Sequence, residues 1–130
     1  SEYTKYDRDI AAHTVQWLTT EAPKYRDKPW MLYVGFVSPH FPLIAPPEFY
    51  NLYPESAVPW PLMYDQAERP RHPFTDAMRG CLCFDDEFDH PMVRRAIAAY
   101  FGLTTFMDAN VGKILAALES NGLLDNTRVI

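Results

Sequence analysis

Between Asp7 and Glu21 apolar side chains return at helical intervals. Ala11, Val15, Leu18 and Ala22 form the row, with Ile10, Thr14 and Trp17 beside it. A helix that buries one stripe and wets the rest has this spacing, so a helix is predicted over about 7–21. Thr4 and Asp7 stand as the hydroxyl and acid of a capping box do, and Pro23 supplies the stop. His13 rides on this helix as a half-exposed structural side chain.

The pattern then changes period. In KPWMLYVGFV both alternating faces from Trp30 to Val37 are apolar. A strand half in water would show one polar face. A run with none predicts a central strand over about 30–37, covered on both sides as in parallel α/β sheets. One helix cannot cover two faces, so this segment calls for more protein than its neighbours supply.

From Ser38 to about Asp89 periodicity lapses, and ten of the twelve prolines lie between Pro39 and Pro91. Within it PPEFYNLYP predicts a short helix with Pro46 or Pro47 at its first position. The rest of 38–90 reads as irregular chain. Trp60, Met63, Tyr64 and Phe74 are too apolar for disorder, and ordered connections of such length usually shape a binding site. A long helix follows, over about 91–120, with Val93, Ile97, Tyr100, Thr104, Met107, Val111, Ile114 and Leu118 in one stripe. At 1.5 Å per residue it would be roughly 45 Å long. SNGLL ends it, with Asn121 or Gly122 in the left-handed position and Leu123 or Leu124 folding back. DNTRVI then turns and starts a strand. The element order reads as an α/β fold: helix, buried strand, long Pro-rich loop, long helix, start of a strand. It is one crossover of a sheet whose other members are not among these 130 residues.

Composition narrows the function. The chain is 48% hydrophobic and 15% aromatic, enough for a core, and carries a net charge of −5. Phosphate backbones are bound by clustered Lys and Arg, so a nucleic-acid surface is excluded. No run reaches the ~20 apolar residues of a membrane span. The first residues carry no signal-peptide pattern, but the chain does not begin with Met, so bacterial cytoplasm and periplasm both stay open. Cys81 and Cys83, in GCLCF, read as reduced thiols in a loop; a C-x-C alone is a weak metal signal.

In open α/β sheets chemistry collects just past the carboxyl ends of strands. His40 lies three residues past Val37, between Pro39 and Pro42, which restrict the backbone around it. Such a ring can donate to an anion or carry a proton near neutral pH. The competing reading, a histidine that merely caps a strand end, has equal weight on position alone. FDDEFDH gathers Asp85, Asp86, Glu87, Asp89 and His90, but lacks the glycines of a calcium loop and leads into the long helix. Acids at a helix start are favoured by its dipole, and that reading is preferred. His72 beside Arg69 and Arg71 reads as a solvated loop or, less often, an anion contact. Asp108 and Asn110 interrupt the long helix and point to solvent or to the loop. No G-x-S-x-G, Walker loop or G-x-G-x-x-G is present.

Three segments, DRDIAAHTVQWL, KPWMLYVGFVSPHFPLIAPPEFYNLYP and AAYFGLTTFMDANVGKILAALESNGLLDNTRVI, resemble in order and spacing the middle of the sulfatase family of the alkaline phosphatase superfamily. The resemblance covers nearly everything but about 56–89. It implies a large α/β sandwich in the parent protein and hydrolysis of sulfate monoesters. It also implies a formylglycine nucleophile made in a Cys/Ser-x-Pro-x-Arg motif and a divalent cation, usually calcium. The His-x-Pro motif matches His40-Phe41-Pro42, and the resemblance gives His40 a contact with the sulfate of a small-molecule ester. Other motifs are missing. Cys81 is followed at the required offsets by Cys83 and Asp85, not Pro and Arg. Asp85-Asp86 is not the early metal pair by position, and Asp89-His90 precedes Pro rather than Gly. The expectation is an internal fragment, 1–130, of one catalytic domain. It would hold one substrate-binding histidine, no nucleophile and no metal ligand. Alone it should be inactive, bind no cofactor and self-associate through exposed strand edges. The alternatives are a phosphonate or phosphate monoester hydrolase of the same superfamily, and a non-catalytic structural or binding module.

Overall fold

The computed structural model describes residues 1–82 and 88–130. Its frame is two helices that run in the same direction, α1 (Glu2–Thr20) and α4 (His90–Ser120). Arg8 lies over the Phe106 ring near the start of the contact, and Leu18 meets Ala117 and Leu118 near its end. Ala22 and Leu123 complete that cluster, with Trp17 and Trp30 edge to face against it at 5.3 Å. Between the helices lie α2 (Pro47–Tyr50) and α3 (Pro73–Leu82), with 3-10 turns at Ala22–Tyr25 and Gln66–Glu68, and a further 3-10 turn, Leu124–Asn126, follows α4. Neither α1 nor α4 is apolar enough along its length to cross a membrane.

α1 begins before Thr4. Ser1 is the N-cap, its hydroxyl accepting from the Thr4 N–H, while the Thr4 hydroxyl donates to the Ser1 carbonyl at 2.9 Å. The capping box expected at Thr4 and Asp7 is therefore displaced. Both residues belong to the buried stripe Thr4, Asp7, Ala11, Thr14, Leu18, whose steps of three and four are helical.

The α/β expectation is corrected: among the described residues no strand forms. Residues 30–37 carry no regular secondary structure, with Met31 94% and Tyr33 89% exposed, so among the described residues neither a buried strand nor a sheet is present. The reason is physical. A strand exists only as a pair, because its N–H and C=O groups need a neighbour's. An apolar run reports a need for cover and supplies no partner. The strand expected at the chain's end is likewise a 3-10 turn followed by residues without regular structure.

The interval 38–90 is less irregular than expected. α2 starts at Pro47, as Pro at a first helical position should, and α3 occupies 73–82. α4 spans the expected length, but its buried face is rotated by one residue. Ala99, Leu103, Phe106, Asn110 and Ala117 face inward, while Tyr100 and Thr104 of the expected stripe are exposed. Packing selected the face with Ala98, Ala99 and Gly102, all buried, where the backbone of α2 approaches closely. At Gly102 an added Cβ would lie 3.0 Å from the Ala45 Cβ and 3.1 Å from the Tyr50 backbone, so α2 rests directly on the helix. Gly122 takes positive φ after α4, and the buried Leu123 donates its N–H back to Leu118, as the stop signal requires.

Candidate functional site

His40 stands at the end of a tight turn. Its backbone N–H closes on the Val37 carbonyl at 2.9 Å, and Pro39, preceded by a cis peptide bond, fills the third position of a type VI turn. A second cis bond joins Phe41 to Pro42. The turn is inserted one side in. Ser38 is buried, whereas His40, Phe41, Pro42, Leu43 and Ile44 are exposed.

The ring itself is oriented. Its face lies against Phe41 with centroids 4.3 Å apart, and Nδ1 is 2.8 Å from the Phe41 carbonyl oxygen. A carbonyl can only accept, so Nδ1 carries the hydrogen and donates it. That assigns the tautomer. In the neutral ring Nε2 is then a lone-pair acceptor; in a protonated ring it is a charged donor. Chemically the arrangement can take up a proton at Nε2 and then donate to an anion.

Both ends of the loop are fixed to α1 by adjacent residues. The fully buried Asp7 accepts from the Val37 N–H at 2.8 Å through one carboxylate oxygen and from the Ser38 N–H at 2.9 Å through the other. Arg8 reaches Glu48 of α2 at 2.7 Å. α2 is itself seated on α4 by Phe49 against Phe106 and by the Tyr53 hydroxyl, 2.6 Å from that of Thr105. Sequence reasoning missed Asp7 by treating it as a cap. The available signal was an acid in register with Ala11, Thr14 and Leu18, which must face inward and find donors.

The other candidates separate. His72 accepts the Phe74 N–H on Nδ1 at the head of α3, so it is a helix-start residue. Arg69, Arg71 and Arg79 line a cleft of about 310 Å³ with Gln66 and Asp76. Asp76 accepts from Arg79 at 3.1 Å and lies 3.3 Å from Arg71, and Arg69 donates to the Tyr64 carbonyl, so the cleft is organised internally. Asp89 is the N-cap of α4, accepting from the Met92 N–H at 2.7 Å, as the helix-start reading requires. His90 lies against Trp60, on which Arg94 also stacks. Asp108 is exposed, but Asn110 is fully buried, its side-chain oxygen accepting from Lys113, which corrects the expectation that it points to solvent or loop. His13 is exposed, as is the free thiol of Cys81. Cys83, Asp85, Asp86 and Glu87 lie outside the described residues. Among the described residues no three His, Cys, Asp or Glu side chains converge as a metal would require. They do not fit a calcium site.

The family model described as Sulfatase matches residues 1–130. The chain is 32% identical over 120 residues to an arylsulfatase of Clostridium perfringens, covering 88% of this chain and 24% of that protein. It is 30% identical to a multifunctional alkaline phosphatase superfamily protein of Trinickia caryophylli, covering 82% and 23% respectively. It is 28% identical to a choline-sulfatase of Rhizobium meliloti, covering 97% and 25%. The chain thus spans about a quarter of the length of the curated relatives it matches. No solved structure gives a significant match.

Proposed function

Because the chain belongs to the sulfatase family, we propose that it is the part of a sulfate monoester hydrolase that presents His40 to the sulfate group of the substrate. One observation carries the assignment of this residue. The Nδ1–H is committed to the Phe41 carbonyl, so the exposed ring has only Nε2 to offer a ligand. Protonated, Nε2 donates a charge-assisted hydrogen bond to a sulfate oxygen. As the ester bond breaks and charge grows on the departing or non-bridging oxygens, that bond strengthens. The names of two relatives, an arylsulfatase and a choline-sulfatase, support sulfate esters as the substrate class.

Ester cleavage also needs a nucleophile and stabilisation of the sulfate charge. Cys81 is not in the sequence context of a formylglycine precursor, and the described residues form no cation site. A formylglycine and a divalent cation therefore belong, in this proposal, to other parts of the whole protein. The 130 residues alone are expected to leave an aryl sulfate intact, with or without calcium. The similarity to a multifunctional superfamily protein favours a second reading, hydrolysis of phosphate or phosphonate monoesters. The test is turnover by the whole protein of 4-nitrophenyl sulfate against 4-nitrophenyl phosphate and a phenylphosphonate monoester. A higher kcat/KM for the sulfate supports the first reading, and a preference for either phosphorus ester supports the second. Calcium-dependent turnover by the purified 130-residue chain would overturn the division of labour.

A further inference from the structure

We propose that Asp7 is a positioning residue for His40, holding through its buried carboxylate the turn that presents the imidazole. The proposal rests on the reading of His40 above for its functional meaning, but its geometry stands alone. Asp7 has 0% exposure, and among the described residues no cation pairs with it. Burying a carboxylate is costly unless its oxygens are hydrogen-bonded. Here both are, each by one of two successive N–H groups, those of Val37 and Ser38, two or three residues before His40.

A carboxylate is well suited to this task. Two adjacent N–H groups point at one side chain, and each needs an acceptor. Asp supplies two acceptor oxygens at that separation. Asn supplies one, and its NH₂ would face an N–H donor to donor. The buried Ser38 turns the start of the loop inward while His40 emerges two residues later, closed by its own N–H on the Val37 carbonyl. Fixing residues 37 and 38 therefore fixes where the turn emerges. Arg8 acts on the far side of the loop through Glu48, but that pair is half exposed and solvent-screened, so the two adjacent residues of α1 contribute unequally.

The test compares Asp7→Asn with Arg8→Gln by amide hydrogen exchange and by the ring resonances of His40. In the unmodified chain the Val37 and Ser38 amides should exchange at least tenfold more slowly than those of Met31 and Leu32. Asp7→Asn should remove that protection and shift the His40 ring signals, while the amides of Leu103, Phe106 and Leu118 keep their rates. Arg8→Gln should leave the ring signals in place. Fast exchange at Val37 and Ser38 in the unmodified chain overturns the proposal, as does an unmoved His40 ring in a folded Asp7→Asn variant. If that variant does not fold, scalar couplings across the hydrogen bonds, from the Asp7 carboxyl carbon to the two amide nitrogens, decide in the unmodified chain. Their presence supports the clamp, and their absence refutes it. None of these readouts needs turnover, so failure of the sulfate reading would leave this result intact.

Discussion

Two glycines of α4 should respond differently to the same substitution, Gly112→Ala stabilising and Gly102→Ala not. Gly102 and Gly112 sit in one helix, and Ala is better than Gly in a helix interior by about 1 kcal/mol. At Gly112 a new Cβ meets nothing within 4 Å, so Gly112→Ala should stabilise the chain by about 0.5–1 kcal/mol. At Gly102 the same atom arrives 3.0 Å from the Ala45 Cβ and 3.1 Å from the N and Cα of Tyr50. Those neighbours are a short side chain and backbone, so α2 itself must give way by a few tenths of an ångström. Overpacking of this kind costs about 1–3 kcal/mol, which offsets the helix gain and leaves Gly102→Ala anywhere from neutral to about 2 kcal/mol destabilising. Helix propensity cancels in the difference between the two variants, leaving a gap of about 1–3 kcal/mol that belongs to the α2–α4 contact. Urea unfolding followed by far-ultraviolet circular dichroism measures it. Equal stabilisation by both substitutions would refute the direct seating of α2 on α4, and with it one support of the His40 loop.

Tyr50 gives a pH-dependent test. Its hydroxyl donates to Glu55; that hydrogen bond, then burial and the carboxylate charge, raise the phenol above its ordinary value of 10.0, with Arg95 opposing weakly. A raised folded value means the contribution is fully present below about pH 10 and is lost as pH rises through the folded value. Stability should therefore fall more steeply above pH 10 in the unmodified chain than in Tyr50→Phe, and equal slopes in urea unfolding would contradict this. The exposed apolar side chains of 31–33, with Val129 and Ile130 at the end, should make the isolated chain associate. Light scattering should show mass rising with concentration, and a clean monomer at high concentration would count against it.

Helical periodicity made the two long helices legible, because burying one stripe leaves a period that no other element shares. It did not reveal which stripe of α4 is buried. That choice depended on Gly102 and the two alanines, whose value lies in the close approach of another backbone rather than in hydrophobicity. The apolar run 30–37 was legible as a segment but not as unpaired chain, since pairing is a property of two segments. α3 was overlooked although Phe74, Ala77, Met78 and Cys81 stand at helical spacing behind Pro73; the surrounding prolines masked the pattern. At the site, His40 drew notice through its flanking prolines. The orientation of its ring could not be foreseen, because the partner is a carbonyl and carbonyls carry no sequence signal. Asp7 was visible as a residue and hidden as a function, since its partners lie thirty and thirty-one positions away.

We propose for His40 the role of offering Nε2 to the charge that develops on the ester. It is tested most directly by kcat/KM of the whole protein toward an aryl sulfate, before and after His40→Ala. Removing a donor aimed at developing charge lowers kcat by about 10²–10³-fold, and a loss of that size in kcat, larger than any change in KM, is the expected result. A His40→Ala protein that is folded and retains kcat within about threefold, far below the loss of a charge-stabilising donor, would contradict it.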